Sequence, residues 1–571
     1  MINKDQNGKI VYSDGVEIEK TFLELVQNYN EEEIREKIKD DSRYLINNTF
    51  SPVRGNLLEW YPFRNGCTIL EIGAGMGSLT KTLCKKAAHV TAVEMNEVRA
   101  DIIRARCKDI SNLTVVTNDV TAWKTDEKFD YVVMVGVLEY AAIFTSSSTA
   151  HADLLKKATA LLKSDGVLLL AIENRFGLRY WLGCSEDHIG KPFVGIQGYQ
   201  QPNTAKTFSK EELNRMLQEQ GLTSRFYYTL PDYKFPTAIF TDEGLPSFHD
   251  IYNLAFAYGR NSCLTANERD LYRDVINNGV FPFFANSFLV EAAISLPQKH
   301  VIRVNGRSEV RKENRILTII DSEGQVIKVP QNAESKEHLR QCNENERRLL
   351  QRGVKCLSSI FDGERIVSRF FNGQMANLGF GKAICQGDRQ SAFAMLEKLM
   401  LSLKKSSDYT NVSECNPALK ELPGWETESD VLAHGYIDMT FYNSFWIEGE
   451  LVFFDQEWDF PGLPLKFLLY YNIKVCYQRA ESVPRIPMST LCAYIDVSQE
   501  QAARYDLLEE KLWASCAGRI GDIYGEDGYY NRYGVETFET FYQKIECERQ
   551  KAHESEKHYA EIQHKIVVHL L

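Results

Sequence analysis

The chain has 571 residues, 44% of them apolar and 25% charged, with a net charge of −12. That length exceeds what one core can serve and predicts two or three domains. The acidic balance argues against a general nucleic-acid-binding role.

The 13 cysteines are scattered and include no C-x-x-C pair, which removes zinc-ribbon and thioredoxin motifs and fits a reducing cytoplasm. The N-terminal stretch "MINKDQNGKIVYSDG" is polar and has no apolar signal core. No uncharged apolar run approaches the roughly 18 residues of a membrane span. The expectation is a cytoplasmic protein, with attachment to the inner membrane surface left open.

In chain order, residues 1–40 read as an N-terminal leader. From about residue 65, short apolar runs alternate with amphipathic helices: "CTILEIG", "HVTAVE", "LTVVTND", "FDYVVMVGVLEY" and "VLLLAIE" are the strands. Such runs predict strands buried on both faces of a parallel sheet, a doubly wound (Rossmann-like) α/β domain over 41–245. Ligands of such sheets sit at the carboxyl ends of the strands.

The first strand–helix turn is Glu71-Ile72-Gly73-Ala74-Gly75-Met76-Gly77. Glycines there permit a tight turn and close approach of backbone to ligand. A dinucleotide fingerprint would place Gly at position 78, which is Ser78. Glu71 precedes the glycines, Glu94 closes the second strand and Asp119, followed by Val120, closes the third. Three acids suit a ligand with an ammonium, a ribose and an adenine and no phosphate, which is S-adenosylmethionine (SAM); a pyrophosphate would be repelled by Glu71. NAD is the runner-up.

On "LEIGAGMG", "VTAVE", "TNDV" and "GVLEY", this region resembles class I SAM-dependent methyltransferases. The resemblance implies that the glycine loop contacts the methionine part, Glu94 the ribose and Asp119 the adenine. It also implies that Gly136 to Tyr140 line the methyl-transfer site. Glu139 is the candidate base for a hydroxyl acceptor; an acceptor already ionised needs none.

The next segment, "ENRFGLRYWLGCSEDHIGKPF", has aromatics and arginines that suit a sugar or an anion, or a lid over SAM. "FSKEELNRMLQEQGL" predicts a helix capped by Ser209 with Glu212 at the third position. Residues 246–300 read as a helical connector.

A second domain is expected over 301–530. "RILTIIDSEGQVIKVP" is a hairpin ending near Lys328, "SKEHLRQCNENERRLLQRG" a long helix, "CLSSIFDGERIVSRFFNG" another hairpin, and helices follow at 386–405. The later stretch "DMTFYNSFWIEGELVFFDQEW" holds Asp438, Asn443 and Asp455. This order resembles a kinase small lobe, and the resemblance implies that Lys328 would grip nucleotide phosphates and pair with Glu346 or Glu344. It also implies that Asp438 would take a hydroxyl proton and that Asn443 and Asp455 would hold metal ions, with ATP and Mg2+ as cofactors.

This order resembles aminoglycoside-phosphotransferase-like and lipopolysaccharide-type kinases, implying a protein-kinase-like α+β domain. Two departures stand out. Tyr436 occupies the position of the usual His, with "HG" offset at 434–435, and the phosphate loop has one glycine, Gly324. Residues 531–571 read as a charged C-terminal helix.

The order of parts resembles the bifunctional methyltransferase–kinases that terminate O-antigen polysaccharide. That resemblance implies a glycan or phosphoglycan substrate, no nucleic acid, and peripheral association with membrane-bound glycan-synthesis enzymes; a homo-oligomer is left open. The alternatives are a methyltransferase whose second domain only binds a glycan or partner, and an NAD-linked oxidoreductase.

Overall fold

The computed structural model describes residues 2–4, 10–12, 15–38, 49–144, 147–201, 203–252, 254, 256, 262–306, 310–480, 482–517 and 536–570. The chain divides into two compact units: Met1–Arg303 with Ile523–Leu571, and Val304–Asp522.

The first unit is built on strands β1 (Thr68–Ile72), β2 (His89–Glu94), β3 (Leu113–Thr117), β4 (Phe129–Val135), β5 (Leu162–Glu173), β6 (Thr223–Leu230), β7 (Ala238–Phe240) and β8 (Ser287–Ala293). Their order is β3-β2-β1-β4-β5-β8-β6-β7. From β3 to β5 all neighbours are parallel. β8 runs antiparallel to both β5 and β6. The order reverses between β1 and β4, the switch point at which such sheets open a ligand crevice.

The apolar runs behave as expected of doubly covered strands: Ile69, Leu70, Val132, Val133, Leu168 and Leu169 are fully buried. Two flanking helices start at capping side chains. Asn96 accepts from the backbone N–H groups of Val98 and Arg99 to open the helix Glu97–Arg106. Ser209 and Glu212 form the expected reciprocal capping box on Lys210–Glu219.

Two segment boundaries differ from the sequence reading. Residues 1–40 contain packed helices, Val16–Asn28 and Glu31–Ile38, not only a leader. Phe22, Val26, Ile34 and Ile38 pack with Phe50, Met76 and Ile102. Glu19 also pairs with Arg99 at 2.8 Å, both side chains being buried. A polar-looking helix can be part of a core when only one narrow stripe is apolar.

The connector 246–300 does hold helices, Phe248–Tyr252, Glu268–Asn277 and Phe281–Phe284, but it also contributes β8. Glu291 interrupts the apolar run of that strand. Its carboxylate is buried between Arg225, at 2.5 Å, and the Tyr61 hydroxyl, at 2.5 Å.

The second unit opens with the hairpin β9 (Ile316–Asp321) and β10 (Gln325–Pro330), followed by the helix Lys336–Gln351 and the hairpin β11 (Ser359–Phe361) and β12 (Ile366–Arg369). Pairing gives the order β11-β12-β10-β9, so the Lys328 strand has a partner on each side. The helical stretch anticipated at 386–405 is two helices, Ala376–Gln386 and Arg389–Ser406, broken at Gly387, whose φ is 80°. A short hairpin, Ser444–Ile447 with Glu450–Phe453, leads into Asp455. The tail is a helix over Phe538–Leu570, with Tyr542 and Ile545 exposed. Among the described residues no helix is long and apolar enough to cross a membrane.

Candidate functional site

The glycine turn follows β1. Gly73, Gly75 and Gly77 have φ of 67°, 58° and 75°, which only glycine adopts without strain. Their surroundings differ. A Cβ at Gly73 would lie 2.6 Å from Val137 Cγ2, in the turn after β4, whereas a Cβ at Gly75 would meet no atom within 4 Å. The two turns therefore touch at the switch point through Gly73, and Gly75 leaves the backbone bare on an open side. Ala74 is buried with Ala92, Ile103 and Cys107 and anchors the turn from below.

The three acids lie at the ends of adjacent strands. Glu94 is buried, and its carboxylate accepts from Gly75 N–H at 2.8 Å and from Asn96 N–H at 2.9 Å. Each oxygen keeps further lone pairs for ribose hydroxyls. Burial raises the Glu94 carboxyl, with Arg99 and the backbone donors acting against it.

Glu71 is also buried and accepts from the Thr80 hydroxyl at 2.7 Å. Burial, opposed by that hydrogen bond and aided by Glu94, pushes it up to about 7. Asp119 is half-buried. One oxygen accepts from Thr121 N–H at 2.9 Å and from the Thr121 hydroxyl at 2.7 Å, and Val120 packs against the main core. This set fits SAM: an open glycine backbone, a pinned ribose-side carboxylate and a third acid, without the extra glycine that a pyrophosphate loop would use.

The turn after β4 begins at Gly136, φ 68°, where a Cβ would meet the Tyr233 hydroxyl at 2.9 Å. Glu139 follows in the short helix Leu138–Tyr140 and is fully buried. Burial and the neighbouring Glu173 carboxylate raise Glu139 well above the ordinary range. The candidate base is thus buried beside a second carboxylate, that of Glu173, in the turn after β4.

Beside it stand groups that sequence reasoning did not assign. Glu173 ends β5 and pairs with Lys234 at 2.6 Å; Lys234 also meets Asp187 at 2.9 Å. Burial opposes a charge on His188, but Glu173 and its other acidic neighbours raise it to about 9. The signal that could have found Lys234 was "LPDYKFP", three polar residues inside an otherwise apolar turn.

Arg179, a candidate for holding an anion, is instead buried in ion pairs with Asp232, at 2.9 Å, and Asp187, at 3.3 Å. Arg175 pairs with Glu212 at 2.9 Å. Trp181, 45% exposed, and Phe193 are the aromatics of that segment left facing solvent.

In the second unit, Lys328 on β10 is buried and its ammonium donates to Asp455 and, at 3.0 Å, to Glu457. The Asp438 carboxylate accepts from the N–H groups of Glu457 and Trp458 at 2.9 and 2.8 Å. Asp455 has φ 58°, a left-handed backbone that Asp adopts more readily than most residues. The Asn443 carbonyl accepts from Phe454 N–H at 2.9 Å, which ties Asn443 to the chain entering Asp455. Lys328, Asp438, Asn443 and Asp455 are thus linked through one short segment, 454–458.

Glu346 is not Lys328's partner. Its carboxylate accepts from Ser359 N–H and hydroxyl, each at 2.8 Å, and Glu344 pairs with Arg340 and Arg348. The helix instead supplies Asn345, whose amide donates to the carbonyls of Gln456 and Glu457. Glu457 takes the place expected of the helix acid; lying two residues past Asp455, it was hidden in the "DQEW" run. Tyr436 is buried with its backbone paired to Asp459, and His434 Nδ1 lies 2.6 Å from Asp459 Oδ2.

Residues 69–166 match the methyltransferase domain family. Over 117 residues the chain is 26% identical to an (S)-coclaurine N-methyltransferase of Papaver somniferum, covering 20% of this chain and 31% of that protein. Over 113 residues it is 34% identical to a probable ribosomal RNA small subunit methyltransferase A of Methanosphaera stadtmanae, covering 19% of this chain and 39% of that one. The chain therefore spans well under two thirds of these relatives.

Among solved structures it is similar to the CcbJ methyltransferase of Streptomyces caelestis, at 13% identity and a TM-score of 0.29, covering 47% of this chain and all of that one. It is also similar to the magnesium protoporphyrin IX methyltransferase of Synechocystis with bound SAH, at 12% identity and a TM-score of 0.26, covering 44% of this chain and 88% of that one. Sheet order, glycine turn and family match agree, and the first unit carries a class I SAM-dependent methyltransferase domain.

Proposed function

We propose that the whole protein is a SAM-dependent methyltransferase whose acceptor is a glycan ending in a phosphate, and whose second unit handles ATP. The observation that carries the first part is the placement of Glu71, Glu94 and Asp119 at the carboxyl ends of β1, β2 and β3 around an open glycine turn. When bound there, SAM supplies an electrophilic methyl group on a sulfonium.

The chain's own residues bind and orient. Glu94 accepts ribose hydroxyls, Asp119 reads the adenine amino group, and the turn from Gly136 to Tyr140 borders the acceptor. Glu139 is buried beside the Glu173 carboxylate, and burial and that neighbour raise its carboxyl above the ordinary range. An acceptor already ionised at neutral pH, such as a phosphate oxygen, needs no base there, and catalysis is mostly positioning.

The second part rests on the convergence of Lys328, Asp438 and Asp455 on the segment 454–458. A buried ammonium beside two carboxylates suits a nucleotide phosphate with its Mg2+. The glycan itself is carried by the resemblance of the order of parts.

The test is methyl transfer from labelled SAM to a glycan, with and without ATP and Mg2+. Label should enter a glycan phosphate directly and an unphosphorylated glycan only when ATP is present. Label entering the unphosphorylated glycan without ATP would sink the phosphate reading. No ATP dependence with a phosphate acceptor and no ATP turnover would leave the second unit as a binding scaffold.

A further inference from the structure

Behind the Gly136 turn lies a cluster that methyl transfer does not use. One carboxylate oxygen each of Glu139 and Glu173 and a ring nitrogen of His188 all lie within 4.8 Å of one another. Three separate pieces of chain deliver them: the short helix after β4, the last residue of β5, and the loop beyond it.

Glu139 gives the second, independent observation. It has no solvent exposure, and neither of its carboxylate oxygens has a hydrogen-bond partner. A buried carboxyl left in that state is costly and calls for a ligand or a proton.

The neighbours are arranged as a metal site requires. The Tyr140 hydroxyl lies 2.9 Å from His188 Nδ1 and fixes the ring, and Nε2 lies 3.4 Å from Glu173 Oε2. Ligating histidines are commonly held in this way by an oxygen on the other nitrogen. Glu173 gives its Oε1 to Lys234, leaving Oε2 toward the cluster.

Charge points the same way. Five acids, Glu139, Glu173, Glu186, Asp187 and Asp232, stand against Lys234, Arg179 and the imidazole of His188. Buried acids in such excess are neutralised by protons or by a metal ion.

We propose that Glu139, Glu173 and His188 bind a divalent first-row transition cation that fixes the turn from Gly136 to Tyr140. Two carboxylate oxygens and an imidazole suit Mn2+, Fe2+ or Zn2+ better than the all-oxygen cations Mg2+ and Ca2+. Ligand atoms about 2.0–2.2 Å from one ion lie about 3–4.4 Å apart, within the span of this cluster. The cation site stands without the methyl-transfer reading; only its effect on methyl transfer rests on that reading.

The test is titration of the chelator-stripped full chain with Mn2+, followed by electron paramagnetic resonance, with Zn2+ as competitor. The wild type should hold an ion that Glu139→Gln and His188→Gln each remove. Asp455→Asn, which alters the second unit's candidate metal ligand, should keep it. A cooperative melt in each variant shows that it is folded, and either variant suffices if the other is not.

A wild type that retains neither Mn2+ nor Zn2+ at roughly 50 µM ion overturns the proposal. So does an unchanged ion count in both variants, and protons then neutralise the cluster. Loss of SAM binding with the ion still held would break the proposed function and leave this site standing.

Discussion

The two candidate sites are assembled by opposite means. In the first unit, a glycine turn and three strand-end acids fall between Glu71 and Asp119, one acid per strand–helix step, so the parallel sheet alone brings them side by side. In the second unit, Lys328 and Asp455 lie 127 positions apart and meet only because the helix Lys336–Gln351 pins the segment 454–458 through Asn345. A site set by local repetition is written in the sequence, whereas a site set by packing between distant elements is written only partly.

The sharpest way to break this contrast is to remove the ammonium of the second site. Lys328→Met should lower ATP turnover by about 10²–10³-fold while SAM binding is unchanged, because an electrostatic clamp on phosphates is worth that much. Coupled-assay turnover checks it; equal turnover would demote the second unit to a scaffold.

A second test uses pH. Burial raises Glu71 from its ordinary value to about 7, so the folded state favours its protonated form. The stability this group gives is therefore fully present below the unfolded carboxyl value and is lost as pH rises through about 7. Glu71→Gln keeps an acceptor for Thr80 and removes the titration. Between pH 4 and pH 8, urea unfolding should show the wild type losing about 3 kcal/mol more than the variant. Parallel curves would show that Glu71 is not buried as a neutral acid.

The glycine turn offers a smaller contrast. Gly73→Ala forces a Cβ against Val137 as well as a left-handed backbone, and should cost about 2–3 kcal/mol in urea unfolding. Gly75→Ala meets no atom and should cost about 1 kcal/mol while weakening SAM binding, because its open side is where the ligand would approach. Equal destabilisation with unaffected binding would refute that assignment. The smallest effect is expected from Glu346→Gln, which keeps an acceptor for Ser359 and should leave ATP turnover within about twofold.

How much was legible follows from the same contrast. The strands of the parallel sheet were readable because each holds a short apolar run flanked by helical segments, and Ser209 with Glu212 announced its helix. β8 was not, because Glu291 interrupts it; only Arg225 and Tyr61, far away in sequence, make that acid tolerable inside a sheet. The helices of residues 1–40 escaped because their apolar stripe is narrow.

In the turn after β4, Gly136 and Glu139 were visible from "GVLEY", but the burial of Glu139 beside a second carboxylate was not. That carboxylate belongs to Glu173, which sits on the next strand. In the second unit the helix acid was sought on the helix, by analogy, whereas the structure supplies Glu457 from the far strand exit.

The most direct measurement is calorimetric titration of the full chain with SAM and with NADH, in the wild type and in Glu94→Ala. The account predicts saturable SAM binding, no NADH binding, and a loss of roughly a hundredfold in SAM affinity in the variant, the worth of about 3 kcal/mol of charge-assisted hydrogen bonds. Equal SAM affinity in wild type and variant, or NADH binding in its place, would contradict it.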